Sequence, residues 1–337
     1  MIDWFRGEIK LLHKPIESGC VVSISPDGTA EWVSPKKVVV TGSHENTFRI
    51  RSVGGNGRGL ATGLQLDGNP SKFLQGHNIF GTNDLVSLVL QTYDRITESI
   101  SLDGNVQLAR KDIEQGNFLV KMIDINEMYD LGTDSEVEAW LHSAQFLSRS
   151  RSGRPSTSQG TLYLQKNSRR WAIKFYNKFR EINSTKKHRL PAELIKTPLG
   201  AYTKGKLRIE VRLMSLELKE NNLTHGKHFT EDKVTYLYNQ YVKKVNLSGN
   251  VPLQDKRLSD MPRAVRSTYT LWQSRFDLQN MLTKSTFYRH RKILMEYGID
   301  ITMPPIDSGK TNVVPLIRVV EATPVQVPDW AYNYMVK

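Results

Sequence analysis

The chain of 337 residues contains one cysteine, Cys20. A single thiol excludes an internal disulfide and any cysteine-based zinc site, and it suits a reducing compartment. Long apolar runs are missing as well; none approaches the roughly 20 residues that span a bilayer. The opening Met-Ile-Asp-Trp-Phe-Arg-Gly-Glu carries two acids and lacks the apolar centre of a secretory signal. A cytoplasmic protein with no membrane partner is therefore expected. Acidic residues are also in short supply. Against 47 lysines and arginines stand 34 acids, leaving a net charge of +13 and a pI near 9.6. That excess calls for a polyanionic partner, and nucleic acid is the commonest. A membrane surface would need an amphipathic basic helix or a lipid signal, and the sequence has neither.

What remains is a globular composition, 39% hydrophobic and 24% charged, long enough for roughly two domains. Alternating patterns predict strands over 1–12, 36–41, 47–53, 60–66 and about 116–125, with a helix near 83–99. A second helix opens at Thr133, with Glu136 three residues on as a capping box, and runs to about 147. The stretch 148–155 is too polar and too rich in breakers to pack, and reads as a mobile basic loop carrying Arg149, Arg151 and Arg154. A hairpin at about 160–178 and a strand at about 205–214 follow. The pattern turns helical from about 226, after the aperiodic polar stretch Lys219–His228.

Two strands have polar faces with chemical potential. In Trp171–Lys178 the period of two places Trp171, Ile173 and Phe175 on one face and Lys174, Tyr176 and Lys178 on the other. A tyrosine between two ammonium groups is pushed toward the nucleophilic phenolate. In Leu207–Leu213 the residues Arg208, Glu210 and Arg212 share a face, where the carboxylate could bind a hard cation and the arginines face phosphate. An ordinary solvated sheet face explains the same alternation. Asp124 interrupts the apolar run Phe118–Ile125; it is either paired, metal-bound, or a strand-end acid facing water.

Near the other end, Ser285 can cap a helix ending at Tyr297, with Gly298 as its stop. Helical spacing turns Phe287, His290 and Leu294 inward and Ser285, Arg289 and Lys292 outward, with Tyr288 beside them. Helices at about 261–275 and 277–282 could complete a helix-turn-helix; a small bundle with a basic face is the plainer alternative.

Several segments together resemble one family. Gln75-Gly76-His77-Asn78-Ile79-Phe80-Gly81 resembles the Q-G-H-N signature of filamentous phage gene II replication initiators. Tyr176-Asn177-Lys178-Phe179-Arg180-Glu181 fits the family's Y-x-K-x-x-E, and Arg208–Arg212 looks like its R-[hydrophobic]-E-x-R strand. The opening Met-Ile-Asp and Ser285–His290 are similar too. Rolling-circle plasmid initiators show the same order: Ile123-Asp124, the Thr161–Leu164 hairpin, then Y-x-K and R-[hydrophobic]-E. The resemblance spans landmarks from the first residue to about 298. No His-hydrophobic-His metal motif of other rolling-circle nickases occurs among the eight histidines.

The resemblance implies an α+β protein. Residues 1–225 would form an antiparallel-sheet nicking domain with flanking helices. Residues 226–337 would form a smaller, mostly helical domain, helix-turn-helix or winged-helix, that binds DNA. It implies Tyr176 as the nicking nucleophile, with Lys178 and Glu181 in the catalytic motif and Tyr163 as a second tyrosine of interest. It implies a divalent ion, magnesium or manganese, held by Asp124 and Glu210 with His77. DNA would be met by Lys174, Arg208, Arg212, the glycine-rich loop bearing Arg58, the basic loop 148–155, and Ser285, Tyr288, Arg289 and Lys292. Partners would be the double-stranded phage origin, the single-stranded viral strand, and host helicase and polymerase, with room for an oligomer on the origin. A non-catalytic origin-binding protein and a tyrosine recombinase are the competing readings.

Overall fold

The computed structural model describes residues 1–16, 19–149, 156–184, 188–247, 261–297, 299–302, 305 and 324–336. Its centre is a nine-stranded sheet. The strands are β1 (Ile2–His13), β4 (Val38–Thr41), β5 (Thr47–Val53), β6 (Ala61–Gly68), β7 (Leu119–Asp130), β9 (Ser156–Ser158), β10 (Thr161–Leu164), β11 (Trp171–Asn177) and β12 (Lys206–Met214). Their spatial order is β4-β5-β6-β1-β7-β12-β11-β10-β9, and every neighbouring pair is antiparallel. Outside it lie an exposed hairpin of β2 (Cys20–Ile24) and β3 (Ala30–Pro35), and a two-residue pairing of β8 (Ser148–Arg149) with β13 (Asn246–Leu247). The start of the expected basic loop is thus paired backbone. Arg151 and Arg154 lie outside the described residues, as does the Arg149 side chain.

Strands that bury one face alternate, and here the apolar face is covered by helices. Phe5, Ile9, Leu66, Ile123, Ile173, Phe175, Ile209 and Val211 point into that layer. After the short α1 (Pro70–Gln75) come α2 (Leu85–Ser99), α3 (Val106–Glu114) and α4 (Asp134–Leu147), which pack on those side chains. Three short helices, α5 (Lys178–Ser184), α6 (Ala192–Ile195) and α7 (Pro198–Tyr202), connect β11 to β12. The helical layer is completed by α8 (Ser215–Glu220) and α9 (Glu231–Val242). The capping box of α4 forms as expected: Glu136 N donates to Thr133 Oγ1 at 3.2 Å, and Thr133 N donates to Glu136 Oε2 at 2.8 Å. Trp140 of α4 meets Phe175 of β11 with ring centroids 5.6 Å apart. Burying a side chain of Phe175's size contributes about 1.5–3 kcal/mol. Helix α9 lies beyond the 225/226 division read from the sequence. It buries Val234, Leu237, Tyr238 and Tyr241 in this same core.

Helices Arg263–Gln273, Leu278–Met281 and Lys284–Glu296 make a second core of their own, from Val265, Tyr269, Trp272, Phe287 and Leu294. The chain then returns to the sheet. Residues 325–335 join a third apolar cluster with Ile79, Phe80, Met128 and Leu199. The architecture is α+β, an antiparallel sheet with flanking helices followed by a helical C-terminal region. Among the described residues, no helix is long and apolar enough to cross a membrane.

Candidate active site

The face of the sheet away from the helical layer opens into a cleft of about 640 Å³. Register decides what lies on its floor, because residues paired across antiparallel strands share a face. Tyr163 pairs with Lys174, Lys174 with Glu210, and Glu210 with Asn126. Arg212 pairs with Asp124, and Tyr176 with Arg208. Three central strands, β7, β12 and β11, thereby bring two carboxylates, an ammonium, a guanidinium and a phenol into one place.

The two carboxylates are buried side by side. Arg212 grips Asp124 with both arms, Nε to Oδ1 at 2.7 Å and Nη2 to Oδ2 at 2.5 Å. Lys174 Nζ is bonded to Glu210 Oε1 and lies 3.8 Å from Asp124 Oδ2. Burial and the Glu210 charge push Asp124 up to about 7, against the pull of Arg212. Burial works to raise Glu210 too, but Lys174 and a hydrogen bond from Asp124 outweigh it and hold Glu210 at about 2. The pair thus keeps one proton between them far more readily than isolated acids would. Tyr176 donates to Glu210 Oε2 at 3.4 Å. Burial, then the Glu210 charge, raise its hydroxyl well above the ordinary phenol value, while Arg208 opposes them.

A loop closes one side of this floor. Helix α1 begins on Asn69, whose Oδ1 accepts from Lys72 N at 2.8 Å, and stops at Gly76 in the left-handed region (φ 89°). A Cβ at Gly76 would lie 2.4 Å from the His44 ring, so glycine is required for both reasons. The turn delivers Asn78 to the cleft. Its Nδ2 donates to Asp3 Oδ1 at 2.7 Å, and its Oδ1 accepts from Lys178 Nζ at 2.9 Å. Lys178 opens helix α5 and pairs with Glu181 at 2.8 Å; Glu181 also meets His188 at 3.0 Å. Burial lowers the Lys178 ammonium to about 8 despite Glu181, and it is Lys178 and His188 that keep the buried Glu181 well below the ordinary carboxylate range. Arg208 donates to the carbonyls of Asn78 and Ile79 at 2.6 and 2.9 Å.

Two family models match the chain. The model for the N-terminal part of the phage gene II replication-associated protein covers residues 1–232, and the model for its C-terminal part covers 253–337. The chain belongs to this phage replication-associated protein family. One relative, a replication-associated protein of the same name from Enterobacteria phage I2-2, is 42% identical over 330 residues, 98% of this chain and 96% of the relative. The resemblance carried by the short motifs therefore extends along the whole chain.

Within this replication-protein fold, Asp124, Lys174, Tyr176, Glu181, Glu210, Arg212 and Tyr163 all line the cleft. Several expectations need correction. Arg208 does not face phosphate: it is fully buried, and its guanidinium is spent on loop carbonyls. His77 is no ligand beside Asp124 and Glu210. Its Nε2 donates to the Tyr334 carbonyl at 2.8 Å, its Nδ1 accepts from Ile79 N at 3.3 Å, and burial drops its pKa to about 4. Lys178 leaves the strand's polar face because the strand ends at Asn177 and a helix begins. Positive charge does not favour the Tyr176 phenolate, since burial and Glu210 outweigh Arg208. Thr283, not Ser285, caps the helix Lys284–Glu296, its side chain accepting from Thr286 N. Arg58 is exposed on a loop away from the cleft lining. Ser285, Tyr288, Arg289 and Lys292 are exposed together on the third C-terminal helix, and Phe287, His290 and Leu294 are buried.

Asp3, Asp67, Arg49, Lys72 and Arg180 also line the cleft and escaped the sequence reading. Only Asp3 left a trace, inside the opening Met-Ile-Asp. Among the described residues, no three His, Cys, Asp or Glu side chains converge as a ligand cluster. The cleft still offers an oxygen-only donor pair, Asp124 and Glu210, with the Lys174 ammonium standing as a cation between them. That chemistry fits a hard divalent ion that keeps most of its water and uses one or two carboxylates.

Proposed function

We propose that this chain starts rolling-circle replication by nicking one strand of a phage double-stranded origin through Tyr176. The observation that carries the reading is the Tyr176 hydroxyl, lodged in a basic cleft with its hydrogen bond on one member of a buried carboxylate pair. In the proposed step the Tyr176 oxygen bonds to phosphorus and the bond from phosphorus to the 3′ oxygen breaks. The Tyr176 proton passes to Glu210, and the leaving oxygen takes one from water. The products are a 5′-phosphotyrosyl link and a 3′-hydroxyl primer. Because one phosphodiester replaces another, a later attack by a 3′-hydroxyl rejoins the displaced viral strand without ATP.

Asp124 and Glu210 would hold magnesium or manganese, an ion that supplies Lewis-acid polarisation of the phosphate when bound. Arg212 orients Asp124 for that task, and Lys174 is placed to move from Glu210 to phosphate. Arg49, Lys72 and Arg180 supply charge along the rim for the DNA backbone. The exposed row Ser285, Tyr288, Arg289 and Lys292 is the reading's duplex-recognition face, working as the second helix of a helix-turn-helix. Host helicase and polymerase would act on the opened strand. Asn78, Lys178 and Glu181 are positioning residues under this reading.

Incubating the protein with supercoiled origin DNA and magnesium should give a nicked product covalently linked at its 5′ end. Tyr176→Phe should abolish the link and leave origin affinity within a few-fold. An adduct that persists in Tyr176→Phe but vanishes in Tyr163→Phe would move the nucleophile to the neighbouring strand. A 3′ link would point to recombinase chemistry instead.

A further inference from the structure

The four residues Gln75-Gly76-His77-Asn78 divide their side chains between two directions. Asn78 faces the cleft and ties Asp3 to Lys178. Gln75 and His77 face the other way, onto the C-terminal segment. The His77 ring donates to the Tyr334 carbonyl at 2.8 Å. The Gln75 amide accepts from Val336 N at 2.9 Å through its oxygen, and its nitrogen donates to the carbonyls of Phe80 at 2.8 Å and His77 at 3.2 Å. Beneath them Trp330 packs edge-on against Phe80 and Tyr202, at 5.7 Å from each ring. Val325 N donates to the Met128 carbonyl at 2.9 Å, which anchors the segment to the end of β7. The loop that presents Asn78 therefore has no complete set of partners without residues 325–336. This segment lies in the C-terminal family region, while the loop lies in the N-terminal one.

We propose that the C-terminal segment is a positioning element of the nicking centre, with Trp330 as its anchor: it seats Gln75 and His77 and so holds Asn78 between Asp3 and Lys178. The inference rests on the proposed nicking reaction for its kinetic consequence, but its structural half is independent of it. A loop held on both sides keeps its cleft-facing side chain preorganised, and such support acts on turnover more than on substrate binding. The segment then links the helical C-terminal region to the sheet's chemistry.

The test uses the full chain with Trp330→Ala and Trp330→Phe. Hydrogen exchange reads the loop directly: amides of residues 76–80 should exchange at least tenfold faster in Trp330→Ala and at near wild-type rates in Trp330→Phe. Single-turnover nicking of a short single-stranded substrate should fall tenfold or more in Trp330→Ala, with KM within about twofold, and recover in Trp330→Phe. His77→Gln, which keeps a donor, should outperform His77→Leu in both measurements. Faster exchange with unchanged nicking would overturn the positioning role, and unchanged exchange would overturn the brace itself. A wild type that forms no tyrosine adduct would instead sink the nicking reading while leaving the exchange result standing.

Discussion

Asn78 and Lys178 stand 100 residues apart in the chain and share one hydrogen bond, Nζ to Oδ1 at 2.9 Å, in a fully buried setting. The same amide group satisfies Asp3 through its nitrogen. One neutral side chain thus serves a buried ammonium and a buried carboxylate, each of which would be costly without it.

Asn78→Ala should therefore destabilise the protein by about 1.5–3 kcal/mol, the range for hydrogen bonds to charged groups. Urea denaturation monitored by circular dichroism measures it. A loss below about 0.5 kcal/mol would mean that water enters and takes over both bonds.

Removing the divalent ion with EDTA should stop nicking, and magnesium or manganese should restore it. Asp124→Asn and Glu210→Gln should each lower the single-turnover rate by on the order of a hundredfold or more, since Lewis-acid stabilisation is worth several kcal/mol. Full activity in EDTA would remove the metal from the reading.

Arg289 and Lys292 are exposed and belong to a core separate from that of the sheet. Replacing both with alanine should weaken origin binding. A lost base contact costs about 1–3 kcal/mol of discrimination, and a lost phosphate contact flattens the salt dependence. Cleavage of a short single-stranded oligonucleotide should stay near wild type. Equal losses on single-stranded and duplex DNA would place the two residues in folding instead of readout.

Acid should loosen the helical C-terminal region through Asp300. Burial works to raise this carboxyl, but Arg291, bonded to it at 2.8 and 2.9 Å, and Thr302 outweigh burial and hold it at about 2. A folded pKa below the unfolded value of about 3.9 stabilises above that value, and the gain is lost as pH falls from about 4 toward 2. The loss should be about 2 kcal/mol in urea titrations that follow this region. Asp300→Asn should already lack it at pH 5, and identical pH responses of the two proteins would refute the assignment.

Local pattern made part of this molecule legible. β5, β12 and α4 each bury one face against a common core, so the period of two or of helical spacing is written in their residues. The β2–β3 hairpin escaped because it buries neither face: Val22, Ile24, Trp32 and Val33 are all exposed, leaving no alternation to read. α3 escaped because it buries only Ala109 and Ile113. In the site, Lys174, Tyr176 and Glu210 were visible as the polar face of their strands. Arg208 shows the limit of that logic. Alternation puts it on the polar face, but the loop that covers this part of the face comes from residues 78–79, far away in sequence. Asp3, Arg49 and Asp67 enter the cleft through pairings of distant strands, which no local window contains.

The strand order has a kinetic meaning. β1 lies in the middle of the sheet, and its neighbours are β6, from residue 61 onward, and β7, from residue 119 onward. β7 in turn waits for β12, at residues 206–214, before Asp124 gains Arg212 and Glu210 beside it. Such long loops must close before the contacts reward them, so refolding is expected on the order of milliseconds to seconds, not microseconds. During synthesis β7 must stay unpaired on its second edge until more than half of the chain has emerged. A partly made chain would already carry much of the basic charge that draws it to DNA, yet the carboxylate pair would not exist, and capacity to bind would precede capacity to cut.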